Sequence, residues 1–474
     1  VTSLLELDLD LSDVDLGGID AESDHNLSEY FLRTEWATKS VSGKRTHVIG
    51  RKGSGKSAIF AQLTAIDDGH NLVELVTPDQ YSWAALRAYK EEVLSTEQAY
   101  KNAWSYTLAA VIALALDGGG VEYSQEARQS FNAAHQFIGD NFSGGRIAPV
   151  TKRLSRLRSL NFQALGLGGG AAWAEEPDSR LAAAVSEKLM ESVAPALREK
   201  GLIVALDRLD DTWDGSRDSK LLMAGLLRAA KELNDSYGPR RKGDNGLRVV
   251  SFVRADIYDD VSFDEKDKHH SLELRIQWNE DQLRDLVARR LPEGVSVDEL
   301  LDPDDMRGSI KPFSYILKRT FMRPREVLQF LEQCIEVAPT DATYISKENI
   351  RQAEVSYSKW KVEDLKQEYS KSDQSLATLL ECFRQGKSRY DSLEDAEAVI
   401  VERAPQLLVP GTSARDLLER LFGYSVVGVQ LAKQGSPRFK SDEPDLELPK
   451  SGRVYVHQSL HRGLSITEAR SERD

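Results

Sequence analysis

Eight consecutive residues, Gly50-Arg51-Lys52-Gly53-Ser54-Gly55-Lys56-Ser57, hold the chemistry that is easiest to read in this 474-residue chain. They match G-x-x-x-x-G-K-[ST] in full. Glycines at these positions let the backbone curl so that successive N–H groups point at phosphate oxygens. A helix beginning near Lys56 turns its positive end toward the same anions. In that geometry Lys56 reaches the β- and γ-phosphates of a nucleoside triphosphate and Ser57 ligates Mg2+. The expected binding set is Gly50, Gly53, Ser54, Gly55, Lys56, Ser57 and, one residue into the helix, Ala58.

A magnesium shell also needs an acid at the end of a buried strand. The run G-L-I-V-A-L-D, residues 201–207, supplies it as Asp207. Many ATPases carry Glu directly after that acid; here the position is Arg208. Asp210 and Asp211 are the nearest carboxylates that could orient water, and they serve equally well as solvated loop acids or helix caps. Arg254 closes another strand-like run, L-R-V-V-S-F-V-R. It is either a sensor of the γ-phosphate or a partner of Asp256 or Asp259. Arg323 and Arg325 flank the start of a later helix. They are either arginines that swing onto phosphate, in the same subunit or across an interface, or ordinary helix-end charge.

Elements that position these residues follow from hydrophobic periodicity. T-H-V-I before Gly50, residues 72–76, 201–207, 247–254 and the alternating 271–276 read as strands, with helical patterns over 27–38, 56–65, 179–200 and 219–233. Strands separated by helices give an α/β fold with a parallel sheet, the P-loop NTPase class of ASCE/AAA+ type. Residues 98–178 read as an insertion that includes an Ala-rich helix and two Gly-rich stretches, 118–120 and 166–170. After Trp278 strand signals stop. Asn279 with Gln282 forms a capping-box signature, and Pro324 sits at the favoured first position of a helix. The expected organisation is an irregular acidic lead-in over 1–26, a P-loop domain over 27–278, a helical lid over 279–357, a winged-helix-like domain over 370–466 and a polar tail over 467–474.

Composition sets outer bounds. The formal net charge is −14 and 41% of residues are hydrophobic, the profile of a soluble globular protein without a generally basic surface. Cys334 and Cys382 lie in apolar helical runs and read as buried thiols in a reducing cytoplasm. The acidic start of the chain lacks signal-peptide features, and the longest apolar run, near 108–116, is far short of a bilayer span. His269 and His270 read as a solvated pair. His457 and His461 are four apart, but on a strand-like run where that spacing does not suit a metal.

The order of phosphate loop, strand to Asp207, strand to Arg254 and then R-P-R-E-V-L-Q-F-L resembles the AAA+ and STAND branches of P-loop ATPases. The D-R-L-D-D segment at 207–211 is similar to the strand acids of KAP-type bacterial ATPases. The whole chain looks like a bacterial family of stand-alone ATPases found partly among anti-phage defence genes, closely over 27–340 and loosely beyond. The resemblance implies ATP and Mg2+ as ligands, Lys56 and Ser57 at phosphate and metal, Asp207 at the metal, Arg254 as a sensor and Arg325 as the lid arginine. The missing Glu after Asp207 leaves the hydrolytic base open.

The function expected is a slowly hydrolysing ATPase that acts as a conformational switch in the cytoplasm, as a homo-oligomer or with a partner effector, and away from membranes. The alternative is an ATP-regulated DNA-binding protein of origin-recognition type. Clusters at Lys152, Arg153, Arg156 and Arg158, at Arg240, Arg241 and Lys242, and at Arg438, Lys440, Arg453 and His457 would touch phosphates, although Asp442, Glu443, Asp445 and Glu447 share the last region. A small-molecule phosphotransferase is a third reading, made less apt by the long lid and extra domain.

Overall fold

Short runs of Val, Ile, Leu and Ala become strands because both faces of a parallel sheet are covered and reward continuous apolar sequence. The computed structural model describes residues 3–42, 44–77, 96–118, 120–142, 160–167, 173, 178–211, 213–431 and 435–468. They fall into two units, one made of Arg33–Arg51 and Lys56–Ile276, the other of Val1–Leu32, Lys52–Gly55 and Gln277–Asp474.

The first unit is built on five strands, β1 (His47–Gly50), β2 (Leu72–Val76), β3 (Leu202–Leu206), β4 (Leu247–Arg254) and β5 (Glu273–Arg275). All neighbouring pairs are parallel, in the order β2-β3-β4-β1-β5. The expected α/β P-loop sheet is therefore present, with β4 between the loop strand and the acid strand. Every residue of β1 and β3 is buried. The register sets Gly50 opposite Arg254 and Val76 opposite Leu206, so the ends that carry the chemistry emerge on one edge.

Two expectations over 27–276 are corrected. The helix expected over 27–38 is two helices, Leu27–Tyr30 and Glu35–Ser42, because Phe31 turns extended and the Thr34 hydroxyl accepts from the Ala37 N–H, starting a new helix. The strand expected over 271–276 is only Glu273–Arg275, since His270–Leu272 forms a 3-10 turn.

Between β2 and β3 lie helices Thr96–Gly118, Gln125–Asn141 and Asp178–Glu199. The first is buried on nearly every face. It packs so closely on helix Arg217–Tyr237 that a Cβ at Gly225 would sit 2.9 Å from the Lys101 backbone nitrogen. Its apolar length thus serves a core, and no helix among the described residues is long and apolar enough to cross a membrane. The basic cluster at 152–158 lies outside the described residues.

Helices Glu280–Ala288, Pro312–Leu317, Pro324–Glu336 and Lys347–Tyr369 form the centre of the second unit. The capping box of Asn279 and Gln282 is made, and Cys334 is buried in the core with Leu283, Val327, Leu331 and Tyr357. The segment read as an acidic lead-in belongs to this core. Leu4, Leu11, Val14 and Leu16 are buried there, and the Leu11 N–H donates to the Ala342 carbonyl at 2.7 Å. Position 357, read as the end of the lid, falls inside helix Lys347–Tyr369.

The C-terminal region follows with helix Leu376–Glu381, β6 (Arg389–Tyr390), helices Leu393–Arg403 and Ala414–Gly423, then β7 (Val427–Gln430) and β8 (Arg453–Val456). The strands form an antiparallel sheet in the order β6-β8-β7. Three helices with such a sheet give the winged-helix-like arrangement, although β6 is too short to announce itself. Beyond these strands, Arg438 bridges to Val429.

Candidate nucleotide site

β1 delivers the chain to Gly50, beside Arg254 at the end of β4. The loop then leaves the sheet unit for Lys52–Gly55 and returns at Lys56. Gly53 and Gly55 have φ of 75° and 92°, in the left-handed region where a side chain is strained. Helix Lys56–Ala61 follows, with Ala58 half-buried in its first turn.

In the sheet unit, Lys56 Nζ donates to the carbonyls of Gly50 at 2.9 Å and Arg51 at 3.1 Å, closing the base of the loop. Burial depresses the pKa of this amine, against the pull of Asp210 and Asp207. Asp207 is 3% exposed and its N–H donates to the Val76 carbonyl. Burial pushes its carboxyl above the usual range. The Arg208 N–H, the Lys56 charge and the nearby Ser57 hydroxyl act the other way. A hydroxyl, a buried acid and a lysine therefore share one edge of the sheet.

Directly after Asp207 the chain turns sharply. Arg208 takes φ of 56°, a left-handed conformation that costs a non-glycine residue about 1–2 kcal/mol. The turn buries Leu209 and carries Asp210 to Arg254, whose Nη1 lies 3.3 Å from Asp210 Oδ2. Arg254 also grips Asp256 through Nε at 3.1 Å and Nη2 at 2.7 Å. Of its two expected alternative partners it takes Asp256, while Asp259 pairs with Arg275 at 2.8 Å. Asp211 is not brought into this group: it pairs with Arg208 at 2.7 Å, both partly exposed. Gly50, Lys56, Ser57, Asp207, Asp210 and Arg254 thus converge.

Residues of the helical unit hold the tip of the loop. Trp278 Nε1 donates to the Ser54 carbonyl at 2.9 Å. The Arg325 N–H donates to the Gly53 carbonyl at 3.4 Å, and a Cβ at Gly53 would lie 3.0 Å from Arg325 Cβ. Beyond that stem, Arg325 Nε lies 3.8 Å from Asp20 Oδ1. Arg323 is buried instead, and its Nη1 donates to the Lys52 carbonyl at 3.0 Å. Ser54 Oγ is buried with no hydrogen-bond partner among the described residues. An orphaned hydroxyl beside two left-handed glycines is what a loop shaped for an oxyanion leaves behind. Within the sheet unit, Lys56, Ser57 and Asp207 are a donor set that fits a magnesium–nucleotide.

Trp278, Lys52 and Asp20 were not foreseen. Trp278 had only its place at the end of the strand signals to mark it. The solvated pair His269–His270 is also corrected. His270 is exposed, but His269 is buried, stacked on His47 with Nδ1 3.0 Å from His47 Nε2.

Residues 280–366 match a family model described as the FunZ-associated C-terminal helical domain. The chain is 24% identical over 496 residues to the putative transposon gamma-delta 80.3 kDa protein of Escherichia coli K12, covering 98% of this chain and 68% of that protein. Among solved structures it aligns with Cdc6p from Pyrobaculum aerophilum at 12% identity and a TM-score of 0.31, with 93% of each chain covered. It also aligns with the Aeropyrum pernix ORC2 protein, solved as ADPNP-ADP complexes, at 12% identity and a TM-score of 0.38, with 94% of this chain and 91% of that one covered.

Proposed function

We propose that the chain is an ATP-binding, slowly hydrolysing P-loop ATPase that works as a conformational switch. The observation that carries this reading is the Ser57 hydroxyl set against the buried Asp207 carboxylate, with the Lys56 amine hydrogen-bonded, among the described residues, to carbonyls of its own loop. A triphosphate offers that amine better acceptors than two neutral carbonyls, because charge-assisted hydrogen bonds are roughly twice as strong as neutral ones. Ser57 and Asp207 would hold Mg2+, which when bound neutralises phosphate charge. Loop amides and Lys56 orient the phosphates; Asp210 and Arg254 are the acid and sensor nearest to them. Asp210 is already engaged by Arg254, which supports slow basal turnover.

The switch output passes to a second copy or a partner effector. The defence setting that the sequence resemblance implies, and the transposon name carried by the curated relative, both suit a protein that answers to mobile DNA. The test is calorimetric titration with Mg2+ and AMPPNP, a non-hydrolysable ATP analogue. Wild type is expected to bind, and Lys56→Ala to bind at least about tenfold more weakly, the scale of one lost charge-assisted contact. Equal binding by the two proteins overturns the assignment.

A further inference from the structure

Lys52 lies in the phosphate loop but has no role in the G-x-x-x-x-G-K-[ST] chemistry. It is nevertheless tied down twice. Its carbonyl accepts from Arg323 Nη1 at 3.0 Å, and its Nζ lies 3.1 Å from Asp364 Oδ1. Asp364 sits in helix Lys347–Tyr369 and is shared with Lys361, whose Nζ is 3.4 Å from Asp364 Oδ2 and 2.8 Å from Glu326 Oε1. Glu326 also faces Arg323 Nε at 3.5 Å, and Arg323 Nη1 lies 3.1 Å from Glu368 Oε2. Three cations and three carboxylates form one chain of ion pairs. Lys361 is 0% exposed, Arg323 3% and Glu326 2%. Burial opposes the Arg323 charge, but Glu368 and Glu326 more than offset it and keep the guanidinium firmly protonated.

Buried ion pairs contribute little net stability compared with apolar packing, yet they fix geometry, since any displaced member is left as an unpaired buried charge. Five such groups, with the part-exposed Lys52, restrict the loop tip to one position relative to this helix. One turn earlier, the same helix reaches the C-terminal region. Ser358 Oγ donates to the Ser459 carbonyl at 2.6 Å and accepts from the Gly463 N–H at 2.7 Å. A further turn back, Glu354 faces Arg319 at 2.9 Å and Arg462 at 3.8 Å. Phe321 lies edge-on to the buried His457 ring, 4.6 Å between centroids, with the Lys361 amine 4.4 Å from its own centroid.

We propose that Lys52, Arg323, Glu326, Lys361, Asp364 and Glu368 form a positioning clamp that sets the phosphate loop and reports its occupancy along helix Lys347–Tyr369 to the winged-helix-like region. This rests on the nucleotide-binding reading above. Lys52 and Asp364 are positioning residues, acting on the nucleotide only through the loop backbone. Phosphates that draw the loop tip toward themselves pull on Asp364 and Arg323, and the helix carries that displacement to Ser358 and Gly463.

The test is amide hydrogen exchange of the full chain with and without Mg2+ and AMPPNP, on wild type, Lys52→Met, Asp364→Asn and the double variant. Asp364→Asn leaves Lys361 its Glu326 partner, and thermal melts report whether each variant is folded. In wild type, AMPPNP is expected to change exchange both at 50–57 and at 456–464. Each single variant is expected to bind AMPPNP about tenfold more weakly, with the response at 456–464 lost. The double variant is expected to be no weaker than the singles, the mark of one shared link. Wild type that binds with a response at 50–57 alone overturns the relay. Folded variants with unchanged affinity and unchanged response overturn the clamp. Absence of AMPPNP binding in wild type would instead sink the nucleotide reading itself.

Discussion

The Ser57 hydroxyl lies close enough to the Asp207 carboxylate to favour its ionised form, so the first turn after the phosphate loop is set against the end of the acid strand. Burial raises the Asp207 pKa above its ordinary 3.8. A raised folded value means that its stability contribution is whole below 3.8 and is lost as pH rises through the folded value. At neutral pH the ionised acid therefore costs stability until a cation arrives. Asp207→Asn is expected to raise the melting temperature of the nucleotide-free protein by ~1–3 °C and to remove the Mg2+ dependence of nucleotide binding. Differential scanning fluorimetry at neutral and acid pH checks both; a lower melting temperature at pH near 7 would contradict the burial argument.

Asp210 and Asp211 differ by one position and by everything around them. Asp210 is held by Arg254, whereas Asp211 pairs outward with Arg208. Asp210→Asn is expected to slow ATP turnover by about 10²-fold, the usual scale for a general base, while Asp211→Asn stays within about twofold of wild type, as surface pairs contribute little. Phosphate-release rates decide it, and the reverse order would move the base to Asp211.

Arg254 holds two carboxylates while lying next to the loop strand, a placement suited to sensing charge rather than to anchoring nucleotide. Arg254→Ala is expected to reduce turnover by about 10³-fold, the lower end of the range seen for arginines that stabilise phosphoryl transfer. AMPPNP affinity should change far less. A variant that turns over normally but binds poorly would recast Arg254 as a binding residue.

His47 and His269 are buried together, and burial lowers their pKa from 6.5 to about 3 and about 4. Depressed values mean that both rings stay neutral in the fold. The stability they represent is present above pH 6.5 and is lost as pH falls through about 4 and then about 3. Replacing His269 by Phe is expected to flatten the acid limb of stability between pH 6.5 and 4. Urea melts across that window test it; an unchanged slope would show that other groups drive acid unfolding.

Four arginines of the winged-helix-like region are neutralised locally. Arg415 pairs with Glu397 at 2.7 Å, Arg420 with Asp373 at 3.1 Å, Arg438 Nε with Glu443 at 2.6 Å and Arg453 with Asp391 at 3.9 Å. Binding to a short duplex is accordingly expected to be weak, with log K falling against log salt no more steeply than about −2. Fluorescence anisotropy at two salt concentrations measures this, and a steep slope would favour the DNA-binding alternative.

Sequence made the sheet and the loop readable because each signal was local. G-R-K-G-S-G-K-S, the apolar run to Asp207 and the run to Arg254 each sit within a dozen residues. What stayed hidden depends on distance. His47 meets His269 across 222 positions, and nothing in either neighbourhood signals the other. Leu4, Leu11 and Val14 lie in or beside a leucine–acid alternation over residues 5–11 that looks strand-like but folds into 3-10 turns, so their burial follows only from the helices that cover them. Helix Lys347–Tyr369 conceals its packing for another reason. It buries Glu354, Lys361, Asp364 and Glu368, and a buried face written in charges looks like a solvated one.

The leucine-bearing N-terminal segment has a consequence for biosynthesis. Arg290 holds the Leu16 carbonyl from 274 positions further along the chain. Residues 3–32 therefore leave the ribosome long before the helices that shelter them exist, and the sheet unit between can form while they wait. Because domains made early fold early, the helical unit closes after the sheet unit, and its completion requires a segment that emerged before that unit was made.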